Sequence, residues 1–207
     1  MDSVVSLDGF TIFLFTLRWF HFIFGITWIG LLYFFNFVNG PFAKTMDADT
    51  KKKVVPQLMP RALWWFRWAA MITFLTGWMY IGAKLHLNGI GPEGLFGTTW
   101  AQWIFLGAGL GSIMWFNVWF IIWPSQKSII TWTKKGESPA EMAGTVKKAF
   151  MASRINTYLS VPMLFCMGAA SHLPAFNLPI IAIVALVSVV LVYHLVEKVA
   201  PKVGSNF

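Results

Sequence analysis

The stretch from Phe10 to Phe35, FTIFLFTLRWFHFIFGITWIGLLYFF, decides the fold. It is apolar and long enough to cross a bilayer as a helix, since about 20 residues at 1.5 Å each cover the roughly 30 Å hydrocarbon core. Arg18 and His21, one helical turn apart, are its only basic side chains, and it has no acidic ones. Such groups are expensive at membrane depth, so the pair marks a candidate functional site.

Four more apolar segments follow, at about 62–83, 100–123, 156–171 and 178–196. Pro124 closes the third, and the fourth is short and contains Pro162. The pattern predicts an all-α integral membrane protein, a single five-helix bundle over residues 1–207, with no internal repeat or low-complexity tract. Composition agrees, because 57% hydrophobic and 12% charged residues, with 12 Trp and 20 Phe, exceed what a soluble core of 207 residues uses. The stretch 138–153 predicts a short helix along the inner surface, with Pro139 in its first turn and Lys147 and Lys148 meeting anionic lipid. The first segment is not expected to be a signal peptide, since Asp2 and Asp8 precede it in place of basic residues and it is too long.

The net charge of +8 does not point to nucleic acid, because the basic residues form no single patch. Lys44, Lys51, Lys52, Lys53 and Arg61 fall between the first two segments. Lys127, Lys134, Lys135, Lys147, Lys148 and Arg154 fall between the third and fourth, and Lys198 and Lys202 in the tail. The other side has Asp2, Asp8, Glu93 and only Lys84. The bias toward one side predicts an N-terminus outside and a C-terminus in the cytoplasm, as for a multi-pass protein of a bacterial-type cytoplasmic membrane.

Arg18, His21, Gly25 and Trp28 recur at helical spacing and share one face. A small residue one turn below a histidine leaves room for a flat ring, and an arginine one turn above can reach a negative edge. Haem b, with an iron and two propionates, matches that pair. The plain alternative is a packing histidine with Arg18 snorkelling to the headgroups. His86 and His172 fall at outer span ends, so His172 is the expected second axial ligand, with His86 as its rival. The same three imidazoles also suit a copper or zinc ion. His194 belongs with the inner interface, beside Tyr193 and before Glu197.

Asn36, Asn39, Asn117 and Asn156 are expected to hydrogen-bond across helices or cap loops, and Arg154 to clamp the inner loop. Gly107 and Gly111 form a Gly-x-x-x-Gly that means close helix packing, or else space for a flat ring. The tryptophans near span ends, Trp64, Trp65, Trp68, Trp100, Trp103, Trp119 and Trp123, are expected in the aromatic belt. Cys166, flanked by Met163 and Met167, reads as soft core filling, since a lone cysteine makes neither a disulfide nor a thiolate copper site.

Arg18-Trp19-Phe20-His21, then Gly25-Ile26-Thr27-Trp28-Ile29-Gly30 and Tyr33-Phe34, resembles the first span of the membrane-bound urate hydroxylase family, the urate oxidase N-terminal domain. Asn156-Thr157-Tyr158-Leu159-Ser160-Val161-Pro162-Met163-Leu164-Phe165, running to Ser171-His172, is similar to a later span of that family that also ends in histidine. The first-span pattern is similar as well to small membrane haem-b proteins of the protoporphyrinogen oxidase and copper-resistance type. The resemblance implies a b-type haem or related redox module and carries onto His21 and His172. Family members usually end in a cytochrome c domain, whereas here Phe207 follows directly on the fifth span. A separate cytochrome c is therefore the expected electron acceptor, and urate itself is not transferred.

Two functions follow as expectations. One is a haem-b electron-transfer protein, an oxidoreductase component if it belongs to an enzyme, acting as one subunit of a respiratory or oxidase complex. The other is a cofactor-free accessory subunit that packs against membrane-protein partners. A transporter ranks last, because no inverted repeat or pair of broken helices is evident.

Overall fold

The computed structural model describes residues 8–89 and 93–204. Asp2 and Phe207, used above, lie outside the described residues. Among those described there is no strand, and the chain forms five helical rods. The first comprises α1 (Gly9–Tyr33), a π-helical turn (Phe34–Asn39) and α2 (Gly40–Thr45). The second is α3 (Ala48–Asn88). The third joins α4 (Thr99–Phe116), a π turn (Asn117–Ile122) and α5 (Trp123–Lys135). The fourth is α6 (Met142–His172). The fifth joins α7 (Leu178–Tyr193), a π turn (His194–Val199) and α8 (Ala200–Val203). Three rods, Gly9–Thr45, Thr99–Lys135 and Leu178–Val203, are long and apolar enough to cross a membrane.

Local chemistry sets the ends. The Asp8 carboxylate accepts from the Thr11 N–H at 2.7 Å to start α1, and Asp47 accepts from Thr50 N–H at 2.9 Å to start α3. Gly89, at φ 72°, ends α3, and Gly136, at φ 74°, ends α5, where a Cβ would be strained.

Pro124 does not end the third rod as its position in the sequence suggests. Each π turn is closed by an N–H that bonds a carbonyl five residues back: Gly40 to Phe35, Trp123 to Val118 and Ala200 to Leu195. The next residue is in every case a proline, Pro41, Pro124 or Pro201. A proline in an α-helix lacks its N–H and collides with the carbonyl four residues back. The wider turn shifts that carbonyl, so the rod continues. Pro162 likewise sits inside α6, and Pro56 and Pro60 inside α3.

The surface helix expected over 138–153 is not a separate element, because its sequence runs without a break into the fourth apolar segment as α6. Arg154 at that junction is held inside the packing, its guanidinium carbon 4.7 Å from the Phe150 ring centroid and Nη2 3.8 Å from Glu197.

α1 packs mainly on α3 and α4 on α6, while α7 lies mainly against α6. The larger core occupies the half of the bundle nearer the π turns, around Trp28, Leu32, Leu63, Phe66, Met114 and Val118. A smaller core nearer the opposite end holds Trp103, Cys166, Ala169 and Ala170. Trp103 therefore leaves the expected belt: it is fully buried and donates its indole N–H to Ala175 O at 3.3 Å. Trp64, Trp65 and Trp68 are exposed.

One stretch of α6 receives a polar contact from all three π turns. Asn36 donates to Ser153 Oγ at 2.9 Å, Asn117 donates to Asn156 Oδ1 at 2.8 Å, and Glu197 faces Arg154. Asn156 also donates to Met114 O at 2.9 Å, and Asn39 reaches Met59 Sδ at 3.7 Å. All four asparagines thus bond across helices.

Candidate functional site

Between the α1–α3 pair and the α4–α6 pair lies a cavity of about 470 Å³ in the half of the bundle away from the π turns. Arg18, His21, Gly25 and Trp28 all line it, so the face read from the sequence is a wall of one cavity. α3 contributes Thr73, Gly77 and Tyr80, α4 contributes Trp100, Ala108 and Gly111, and α6 contributes Met163, Met167 and Ser171.

His21 is half-buried and held against α3. Its Nδ1 lies 3.4 Å from Thr76 Oγ1, and that hydroxyl in turn donates to the Ile72 carbonyl at 2.7 Å. Gly77 makes this approach feasible, since a Cβ there would fall 2.9 Å from His21 Cε1 and 3.2 Å from Nδ1. With Nδ1 against the Thr76 hydroxyl, Nε2 is the ring nitrogen that could ligate a metal.

Arg18 stands at the mouth with its guanidinium 5.8 Å from the Tyr80 ring centroid, and Lys84 Nζ lies 5.9 Å from that of Trp100. Two cations therefore sit on aromatic faces at this end of the bundle, a setting for an anionic group.

The floor is glycine-rich. A Cβ at Gly25 would meet only Thr73 Cγ2 at 3.9 Å, at Gly111 only Met163 Cγ at 4.0 Å, and at Gly30 nothing within 4 Å. Gly107 differs, because a Cβ there would fall 3.0 Å from both Cys166 Cβ and Met167 Cε. The Gly-x-x-x-Gly thus does both jobs, with Gly107 packing helices and Gly111 opening space.

His172 and His86 do not line this cavity. Both are exposed, and His172 Nδ1 is engaged by Gly168 O at 2.9 Å. Among the described residues no three His, Cys, Asp or Glu side chains converge on a metal-sized site, so the imidazole trio expected for copper or zinc is not assembled. Met163 and Met167, which flank the buried Cys166, are brought into the wall. Arg67 also gains a defined place, with its guanidinium carbon 3.9 Å from the Trp123 ring centroid and its carbonyl accepting from Trp119 Nε1 at 3.2 Å.

The fold and cavity define an all-α protein of membrane-spanning character with an aromatic-lined, cation-mouthed pocket between helix pairs. The chain belongs to the urate oxidase N-terminal family, whose family model matches residues 92–202. That match covers α4 to α7 and most of α8, including the Asn156–His172 stretch, and leaves the Arg18–His21 helix outside it. No curated protein and no solved structure matches the chain.

Proposed function

We propose that this protein is a five-span membrane protein that holds a b-type haem in the cavity and passes electrons. The observation that carries the reading is His21, braced on α3 with Nε2 left over, in a cavity whose mouth carries Arg18. His21 would hold the haem iron and Arg18 would compensate the propionates. Gly25, Gly30 and Gly111 leave room for a flat ring, and Phe74 and Trp78 keep water away from its edge. When bound, haem supplies one-electron chemistry, and the protein tunes it through ligands, hydrogen bonds and burial.

In this reading α3 and α6 cross the bilayer with the three more apolar rods. At 1.5 Å per residue, their 41 and 31 residues exceed the thickness of the hydrocarbon core. In the same reading the lysine-rich ends face the cytoplasm of a bacterial-type membrane, with the N-terminus outside and the C-terminus inside. The electron acceptor would be a separate cytochrome c or a partner subunit.

A reduced-minus-oxidised visible spectrum of the protein in mild detergent, with haem assayed on the same sample, tests the proposal. About one haem per chain is expected, and its loss in His21→Ala with helicity retained. Colourless protein from haem-replete cells would overturn the reading and favour the cofactor-free accessory subunit.

A further inference from the structure

Arg67 is the only charged residue from 62 to 83 and lies little more than one turn inside that apolar segment. A cation there is expected to have a partner. Among the described residues the ion pairs are Lys135–Glu137 and Arg154–Glu197, and neither involves Arg67. Its Nε is buried with no hydrogen-bond partner. Its guanidinium carbon is 3.9 Å from the Trp123 ring centroid, 5.7 Å from that of Trp119 and 5.9 Å from that of Trp68. Ring faces attract the charge but are poor acceptors, so the N–H groups at its edge remain for an anion.

A shallow groove of about 370 Å³ lies on the same seam between α3 and the third rod. Phe74 and Trp78 border it two and three turns beyond Arg67 on the same face of α3. The facing rod presents Ser112, Ile113, Trp115 and Phe116. Phe74 stacks on Trp115 at 4.2 Å, and Trp78 Nε1 donates to Ser112 Oγ at 3.2 Å. Phe74, Trp78 and Ser112 are common to this groove and the haem cavity, whereas Ile113, Trp115 and Phe116 belong to the groove alone. Ile113 and Phe116 are exposed. From Arg67 to Trp78 is about 16 Å at 1.5 Å per residue, close to the roughly 15 Å of hydrocarbon in one leaflet. We infer that this seam binds one anionic phospholipid, with its phosphate on Arg67 and an acyl chain in the groove.

Vesicles of phosphatidylglycerol and phosphatidylcholine in equal parts, with matched chains, supply the probe. Full-length protein reconstituted in them is extracted in mild detergent, and the lipid retained per chain is read by native mass spectrometry. Phosphatidylglycerol should be retained over phosphatidylcholine, and Arg67→Ala should reduce that preference about tenfold. Arg67→Gln keeps much of the stem and should show the same loss if the alanine variant fails to fold. Arg61→Ala and Lys134→Ala, at exposed basic residues near the same end, should leave the preference unchanged. Ile113→Trp, which narrows the groove, should weaken retention of phosphatidylglycerol. Equal losses in the Arg67, Arg61 and Lys134 variants would mean diffuse attraction to the surface and overturn the site. So would the absence of any preference in the wild type, or displacement of the lipid by inorganic phosphate. Unaltered retention in Ile113→Trp would remove the acyl chain from the groove. Each readout is independent of haem content, so the haem reading stands or falls separately.

Discussion

At the scale of single residues, glycines decide whether the cavity works. Gly77→Ala would drive a methyl into the His21 imidazole, whereas Gly82→Ala on the same helix meets nothing within 4 Å. The first is expected to lower haem retention and alter the spectrum, and the second to leave both unchanged, with absorbance ratios as the check. Gly107→Ala should destabilise the fold by about 1–3 kcal/mol through overpacking. Gly111→Ala should leave denaturant stability near wild type yet reduce cofactor binding. Arg18 and His21 were legible in the sequence because charge inside an apolar run has few structural excuses. Met167 was not, since methionine is ordinary filling by type and only the fold brings it to the cavity wall. His172 drew attention by its chemistry and its place at a span end, and it does not line the cavity.

At the scale of elements, three of the five rods owe their length to π turns that absorb prolines. Apolar periodicity located all five helices, but it could not foresee continuation through Pro124. The wider turn is a tertiary solution, anchored where Asn36, Asn117 and Glu197 reach α6. Asn156 is the most deeply committed member of this girdle, with no exposed surface and bonds to both Asn117 and Met114 O. Asn156→Leu should therefore cost about 1–3 kcal/mol, because it strands the Asn117 amide in the core, and the loss is read from denaturation in detergent. Outside the apolar segments, Asp47 accepts from the Thr50 backbone N–H and hydroxyl, which lowers its carboxyl below the usual value. A depressed folded-state value means the cap is fully present above the ordinary carboxylate range and is lost as pH falls through the lower folded value. Amide exchange at Thr50 and Lys51 should accelerate in acid, and Asp47→Asn should remove that pH dependence while keeping an oxygen acceptor.

For the molecule as a whole, membrane character was legible from composition, and family membership from the Asn156–His172 stretch, which lies inside the matched residues. The boundary between a surface helix and a span was not legible, because nothing in the residues from Ser153 to Asn156 breaks a helix. The proposed orientation predicts that cysteines placed at Leu87 and at Lys135, in a Cys166→Ala background, react with an impermeant maleimide from opposite faces of sealed vesicles. Reaction of both from one face would discard the five-span topology. The cavity wall also carries a consequence for biogenesis. His21 lies in the first rod to leave the ribosome and Met167 in the fourth, so no closed pocket exists until most of the chain has been synthesised. A cofactor captured there must be loaded late, from the bilayer or by a delivery factor, onto a nearly finished polypeptide.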